Sequence, residues 1–127
     1  MCFIISGRQV LLANIEYGLN DRKWNGIGGM VDDHESPEHA VVREIAEETE
    51  LIVNRNDLVN FGVINTGKLF LHVFTADKWV GELSVKDVSL KELRWFNFDE
   101  LPFSEMWPGN EDWLPGILKL ASSNHNT

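Results

Sequence analysis

Six glutamates and a single arginine, Arg43, fall between Glu35 and Glu50. Three of them, Glu44, Glu47 and Glu48, stand at i, i+3 and i+4, a spacing that places three carboxylates within an arc of roughly 100° on one face of a helix. Like charges four residues apart destabilise a helix by a few tenths of a kcal/mol, so such a trio favours a positive charge above it, and a hard divalent cation such as Mg²⁺ or Mn²⁺ suits oxygen ligands. Most charge runs are solvated helix faces. Here the surroundings reverse that expectation. Gly29, five residues, Glu35, seven residues and then Arg43-Glu44-Ile45-Ala46-Glu47-Glu48 form the pattern G-x5-E-x7-R-E-U-x-E-E, with U aliphatic. At average residue frequencies it arises by chance in on the order of one chain in 10⁵ to 10⁶.

This pattern resembles the signature of the Nudix hydrolase family. The resemblance implies an α/β (α+β) fold, a Nudix-type α/β/α sandwich with a mixed β-sheet in which the signature forms loop, helix and loop. It also implies attack of water on phosphorus in a nucleoside diphosphate linked to another group. Carried over, Glu44 and Glu48 are the principal metal ligands, Glu47 is a supporting ligand and the carbonyl of Gly28 completes the site. Gly29, Glu35 and Arg43 shape the motif. Clustered metals would neutralise the phosphates and activate the attacking water. Glu92, placed just before a strand at residues 93–96, is a further candidate, and Glu47, Glu48 and Glu92 all remain open as the base. Where the family usually has glycine the chain has Glu50, which implies an altered exit from the helix.

The stretches Trp24-Asn25-Gly26-Ile27-Gly28-Gly29 and Leu101-Pro102-Phe103-Ser104-Glu105-Met106-Trp107-Pro108 are similar to those of MutT-related members that hydrolyse oxidised purine nucleoside triphosphates such as 8-oxo-dGTP. The similarity makes Asn25 and Trp107 candidates for gripping the base: indole offers a face to a purine, and an amide offers a donor and an acceptor to its edge. Phe70 could line the same pocket. After Pro108 those relatives carry two aspartates that read the base edge, whereas this chain has Gly109 and Asn110. Asn110 offers donor and acceptor at fixed atoms, so selectivity for 8-oxoguanine does not follow from the similarity alone. The implied reaction is metal-dependent conversion of a nucleoside triphosphate, with a modified purine favoured, to the monophosphate and pyrophosphate. A broader hydrolase of ordinary dNTPs or dinucleoside polyphosphates, and an inactive nucleotide-binding module, are the competing readings.

Composition sets the frame around this chemistry. A chain of 127 residues with 43% hydrophobic content forms about one compact core, so residues 1–127 read as a single domain. A net charge of −9 argues against backbone-driven binding of nucleic acid, and a small nucleotide is the expected partner. One cysteine, no apolar run of membrane-spanning length and no signal-peptide core suggest a cytoplasmic protein.

The elements that must carry the motif are legible by pattern. Apolar runs at residues 2–5 and 9–15 flank Ser6-Gly7-Arg8 as a hairpin. Residues 16–29 read as a glycine-bearing loop with a short strand near Ile27. Ser36-Pro37 starts a helix that runs to about Glu50, with Val41, Ile45 and Thr49 on its inner face. Strands are expected at residues 57–64, 68–75 and 93–97, and a helical turn at residues 98–101 is stopped by Pro102. A last helix begins near Asn110, carrying Trp113, Leu114, Ile117, Leu118 and Leu120, and a polar, frayed tail spans residues 122–127.

Overall fold

The structure is a computed structural model that describes every residue except 29, 30, 66, 68, 69, 85–89, 126 and 127, together with the side chains of 90, 91 and 123–125. Strands β1 (Cys2–Ser6) and β2 (Gln9–Gly18) form the expected hairpin, with Ile4 opposite Leu11. The run expected to be a loop after residue 15 is strand instead. β2 continues to Gly18, Asn20 turns the chain at φ 59°, and β3 (Asp21–Asn25) pairs back on it with Ala13 opposite Asn25. Polar residues such as Asp21 and Lys23 tolerate this because that end of the ribbon is exposed, while Trp24 and Asn25 at the other end are buried.

Helix α1 (Pro37–Thr49) lies near its expected bounds, and the Ser36 hydroxyl accepts a hydrogen bond from the His39 amide at 3.1 Å. Strands β4 (Val59–Asn65) and β5 (Phe70–Ala76) pair antiparallel, β5 also runs parallel to β1, and β6 (Leu90–Asn97) lies along β2. The six strands form one mixed sheet in the order β3-β2-β1-β5-β4, with β6 joined to β2. Helix α2 (Asn110–His125) closes the chain. Its helical backbone runs into the polar tail expected from residue 122, as far as His125, since neither Gly nor Pro occurs after Gly116 to stop it.

Strand alternation sorts the core into two layers. Leu11 and Ala13 of β2 join Val41 and Ile45 of α1, with Leu93 and Trp95 of β6 packed against them. Val10 and Leu12 face the other way and join Leu114, Ile117 and Leu118 of α2, with Phe96 alongside. Each helix covers one side of the sheet, which is the α/β/α arrangement expected. No helix among the described residues is long and apolar enough to cross a membrane.

The exit from α1 is not rerouted by Glu50. The residue adopts the left-handed conformation itself, at φ 66° and ψ 3°, and its amide donates to the Ala46 carbonyl at 3.1 Å. A Cβ at such angles costs on the order of 1 kcal/mol. Glu50→Gly is therefore expected to raise Tm by about 4 °C, measured by thermal unfolding. An unchanged or lower Tm would mean that contacts of the glutamate side chain outweigh the relieved backbone.

Candidate active site

Arg43 is the hub of the acidic helix. Its guanidinium grips Glu35 through Nε to Oε2 at 2.8 Å and Nη2 to Oε1 at 3.0 Å, and Nη1 reaches Glu44 Oε1 at 3.0 Å and Glu47 Oε2 at 3.2 Å. Glu35 Oε1 also accepts the Asp32 amide at 2.9 Å, so the loop before α1 is tied to the helix by one carboxylate. Glu35 and Arg43 thus join loop and helix. Gly29 lies outside the described residues.

Hydrogen bonds from the Arg43 guanidinium, followed by the one from the Asp32 amide, hold the Glu35 carboxyl down at about 2. A carboxylate lowered in the folded state adds stability above its unfolded value near 4.5, and that stability is lost as pH falls toward 2. Chemical unfolding of wild type and Glu35→Gln across pH should show a stability difference that is full above about pH 4.5 and shrinks toward pH 2. A difference that does not change with pH would remove the ion pair as its cause.

The three helix carboxylates differ in burial. Glu48 is 8% exposed, Glu44 is mostly covered and Glu47 is largely open to solvent. The Met1 ammonium, which donates to the His72 carbonyl at 2.8 Å, lies where the charges of Glu48 and Glu44 act on it. Gly28 is brought to the same place by the ladder between Cys2 and Ile27, whose amides and carbonyls exchange bonds of 2.6 and 2.9 Å. With φ at 151° and a Cβ that would stand 3.0 Å from the Met1 Cα, position 28 suits only glycine. Gly28 and the Met1 ammonium thus sit together at the start of β1, within electrostatic reach of Glu48 and Glu44.

Oxygen donors on one helix face and a nearby backbone carbonyl have the chemistry of a hard-cation site. Among the described residues no three His, Cys, Asp or Glu side chains stand together as a ready-made cage. The bonds of Arg43 account for this, since they draw Glu44 and Glu47 toward the guanidinium. Rotation of those two side chains would assemble the ligand face.

Glu92 does not join this face. It lies within β6, opposite Asn14, and its Oε2 pairs with Arg94 at 2.6 and 3.1 Å. Leu93 and Trp95 pack toward α1, so by alternation Glu92 and Arg94 point to the opposite side, where Arg94 lies over the Trp24 and Phe96 rings. In this structure it is an exposed partner of Arg94.

Beside the carboxylates a cleft of about 400 Å³ is lined by Tyr17, Gly28, Val41, Phe70, Phe74 and Trp107, among others. Phe70, the first residue of β5, is 71% exposed, so it belongs to the cleft wall and not to the core. Asn25 and Asn110 are buried at 1% and 3% exposure and joined by a bond from Asn110 Nδ2 to Asn25 Oδ1 at 3.4 Å. Asn25 Oδ1 also accepts the Gly26 amide at 3.0 Å, which fixes the orientation of the amide group. The buried Asn25 Nδ2 is left without a hydrogen-bond partner. Tyr17, whose ring centroid is 4.9 Å from that of Trp107, is the lining residue that the sequence did not disclose, because its segment read as a loop.

A carboxylate helix bracketed by Arg43 and Glu35 beneath a mixed sheet describes a class of phosphate-cleaving enzymes, and the chain belongs to that class: it is a Nudix hydrolase, with the NUDIX domain matched over residues 1–117. Members of the family generally use divalent metal ions. Among individual relatives, the chain is 34% identical to the oxidized purine nucleoside triphosphate hydrolase of Danio rerio and 30% identical to that of Mus musculus. Each comparison spans 94% of this chain and 78% of the relative. The fold is similar to the crystal structure of MutT NUDIX hydrolase from Burkholderia pseudomallei, with TM-score 0.69 and 29% identity over 80% of this chain and 82% of that one. It also resembles the solution structure of the E. coli ORF135 protein, with TM-score 0.74 and 20% identity over 96% and 88% of the two chains, a likeness of fold alone.

Proposed function

We propose that this Nudix hydrolase is a pyrophosphohydrolase that converts a nucleoside triphosphate, with a modified or oxidised purine such as 8-oxo-dGTP preferred, to the nucleoside monophosphate and pyrophosphate. The observation that carries this reading is the continuity of one cleft, from the rings of Trp107 and Phe70 to Gly28 at the acidic helix. A flat base and a polyphosphate chain need those two environments side by side. The names of the Danio rerio and Mus musculus relatives agree with it.

In this reading Glu44, Glu48 and the Gly28 carbonyl hold Mg²⁺ or Mn²⁺, and Glu47 turns from Arg43 to support them. The bound metal supplies charge neutralisation at the phosphates and acidifies the attacking water. Water forms one P–O bond, the P–O bond to the leaving phosphate group breaks, and the water proton passes to a carboxylate of the helix. Glu47 and Glu48 are the candidates for that base. Trp107 and Phe70 hold the purine ring, and Asn25 with Asn110 meets its edge.

The test is kcat/KM with Mg²⁺ across dGTP, 8-oxo-dGTP, 2-oxo-dATP, O6-methyl-dGTP, the other ordinary dNTPs and dinucleoside polyphosphates. A modified purine triphosphate is expected to lead by more than about tenfold, worth roughly 1.4 kcal/mol. A smaller lead would remove the preference and leave a general hydrolase. No metal-dependent turnover of any nucleotide would overturn the proposal.

A further inference from the structure

Tyr17 occupies an irregular place in the sheet. The β2–β3 ladder pairs Glu16 with Arg22 and Gly18 with Asp21, so Tyr17 is the extra residue of a bulge, and the described pairing of β2 with β6 ends at Ile15. Bulges re-aim side chains and loosen the local ladder. Here the side chain is aimed into the cleft, where its ring tilts 51° against that of Trp107. The residue is 37% exposed, so neither the core nor a complete ladder fixes it.

Both rings line the cleft. Asn25 lies close enough to the Tyr17 phenol to affect its ionisation, with burial raising the phenol above its ordinary value and the amide opposing that shift. Nδ2 of Asn25 is therefore a buried donor beside the Tyr17 phenol, outside good hydrogen-bond geometry. A poorly met buried donor is costly, and a ligand acceptor arriving there would reduce the cost. That atom is closed to solvent in this structure. Stacking on both faces of a purine needs about 7 Å between the flanking rings, two contacts of about 3.5 Å, so the 4.9 Å pair must open by about 2 Å.

Resting on the proposed nucleotide hydrolysis, we propose that Tyr17 and Trp107 form an aromatic clamp, closed on itself in the free protein, which parts to take a purine between the two rings with its edge against Asn25. Tyr17 is the moving jaw, since the bulge gives its backbone freedom, and Trp107 is the half-buried fixed jaw. The clamp makes purine over pyrimidine a matter of ring area, because a larger base covers more of both faces.

Calorimetric binding of dGMP, 8-oxo-dGMP and dCMP to wild type, Tyr17→Ala, Tyr17→Leu and Tyr17→Phe tests the clamp, with kcat and KM measured on the preferred triphosphate. Both variants lacking the ring should weaken purine monophosphate binding about tenfold and dCMP binding less than threefold. Tyr17→Phe should bind within threefold of wild type, and in the two ring-less variants the loss should fall more on KM than on kcat. Purine binding that is unchanged or tighter in Tyr17→Ala and Tyr17→Leu, or equal losses for dGMP and dCMP, would overturn it, as would a wild-type protein that binds no purine nucleotide. Failure of the hydrolase reading looks different: wild type and variants alike turn over no triphosphate, while the binding series still reports on the jaws.

Discussion

Glu48→Gln lowers kcat/KM by about 10²- to 10⁴-fold while the protein stays folded, if the acidic helix holds the catalytic metal. The change keeps the shape of the side chain and removes the one buried carboxylate of the helix. Loss of a metal ligand withdraws several kcal/mol of transition-state stabilisation, and each 1.36 kcal/mol is about tenfold in rate. Thermal unfolding should show little loss, because a neutral amide is easier to bury than a charge. Glu47→Gln provides the comparison: its side chain is largely exposed, so a supporting ligand should cost less than Glu48. Steady-state kinetics against Mg²⁺ concentration separates the two. Activity retained in Glu48→Gln would sink the metal assignment.

The second large effect is expected at the other end of the cleft. Trp107→Ala should raise KM for a purine triphosphate by about 10- to 100-fold with much less change in kcat, since stacking of a base on an aromatic face contributes about 1–3 kcal/mol. Trp107 is half-buried and lines the cleft, whereas Met106 beside it is the core residue of that segment. Substrate-saturation curves would show the split directly. A fall in kcat with unchanged KM would instead place Trp107 near the phosphates or in the frame of the fold.

The helix and its carboxylates were the most legible part of the sequence because every local signal agreed. Ser36 and Pro37 mark its start, Val41 and Ile45 mark its inner face, and the glutamates carry the signature. Glu50 showed where the pattern departs, although the backbone kept the family-like turn and took up the strain. β3 was hidden because a short polar strand that pairs at an exposed end carries no hydrophobic alternation. β6 starts at Leu90, ahead of the expected residue 93, so the face taken by Glu92 is set by the parity of its strand neighbours. The link between Asn25 and Asn110 spans 85 residues of chain, and no local pattern announces such a meeting. Tyr17 was hidden for the same reason as β3.

Arg43 touches Glu35, Glu44 and Glu47 at once, and it therefore serves the helix as an internal counter-ion. If the helix takes a cation as proposed, Glu44 and Glu47 would turn to it while Glu35 keeps the arginine in place. Loading and unloading the ion then exchange one positive partner for another, and the architecture does not have to be rebuilt each time. Small metal-built domains, by contrast, unfold when stripped. A chelator should accordingly silence this enzyme without melting it, and readmitted Mg²⁺ should find the scaffold already standing.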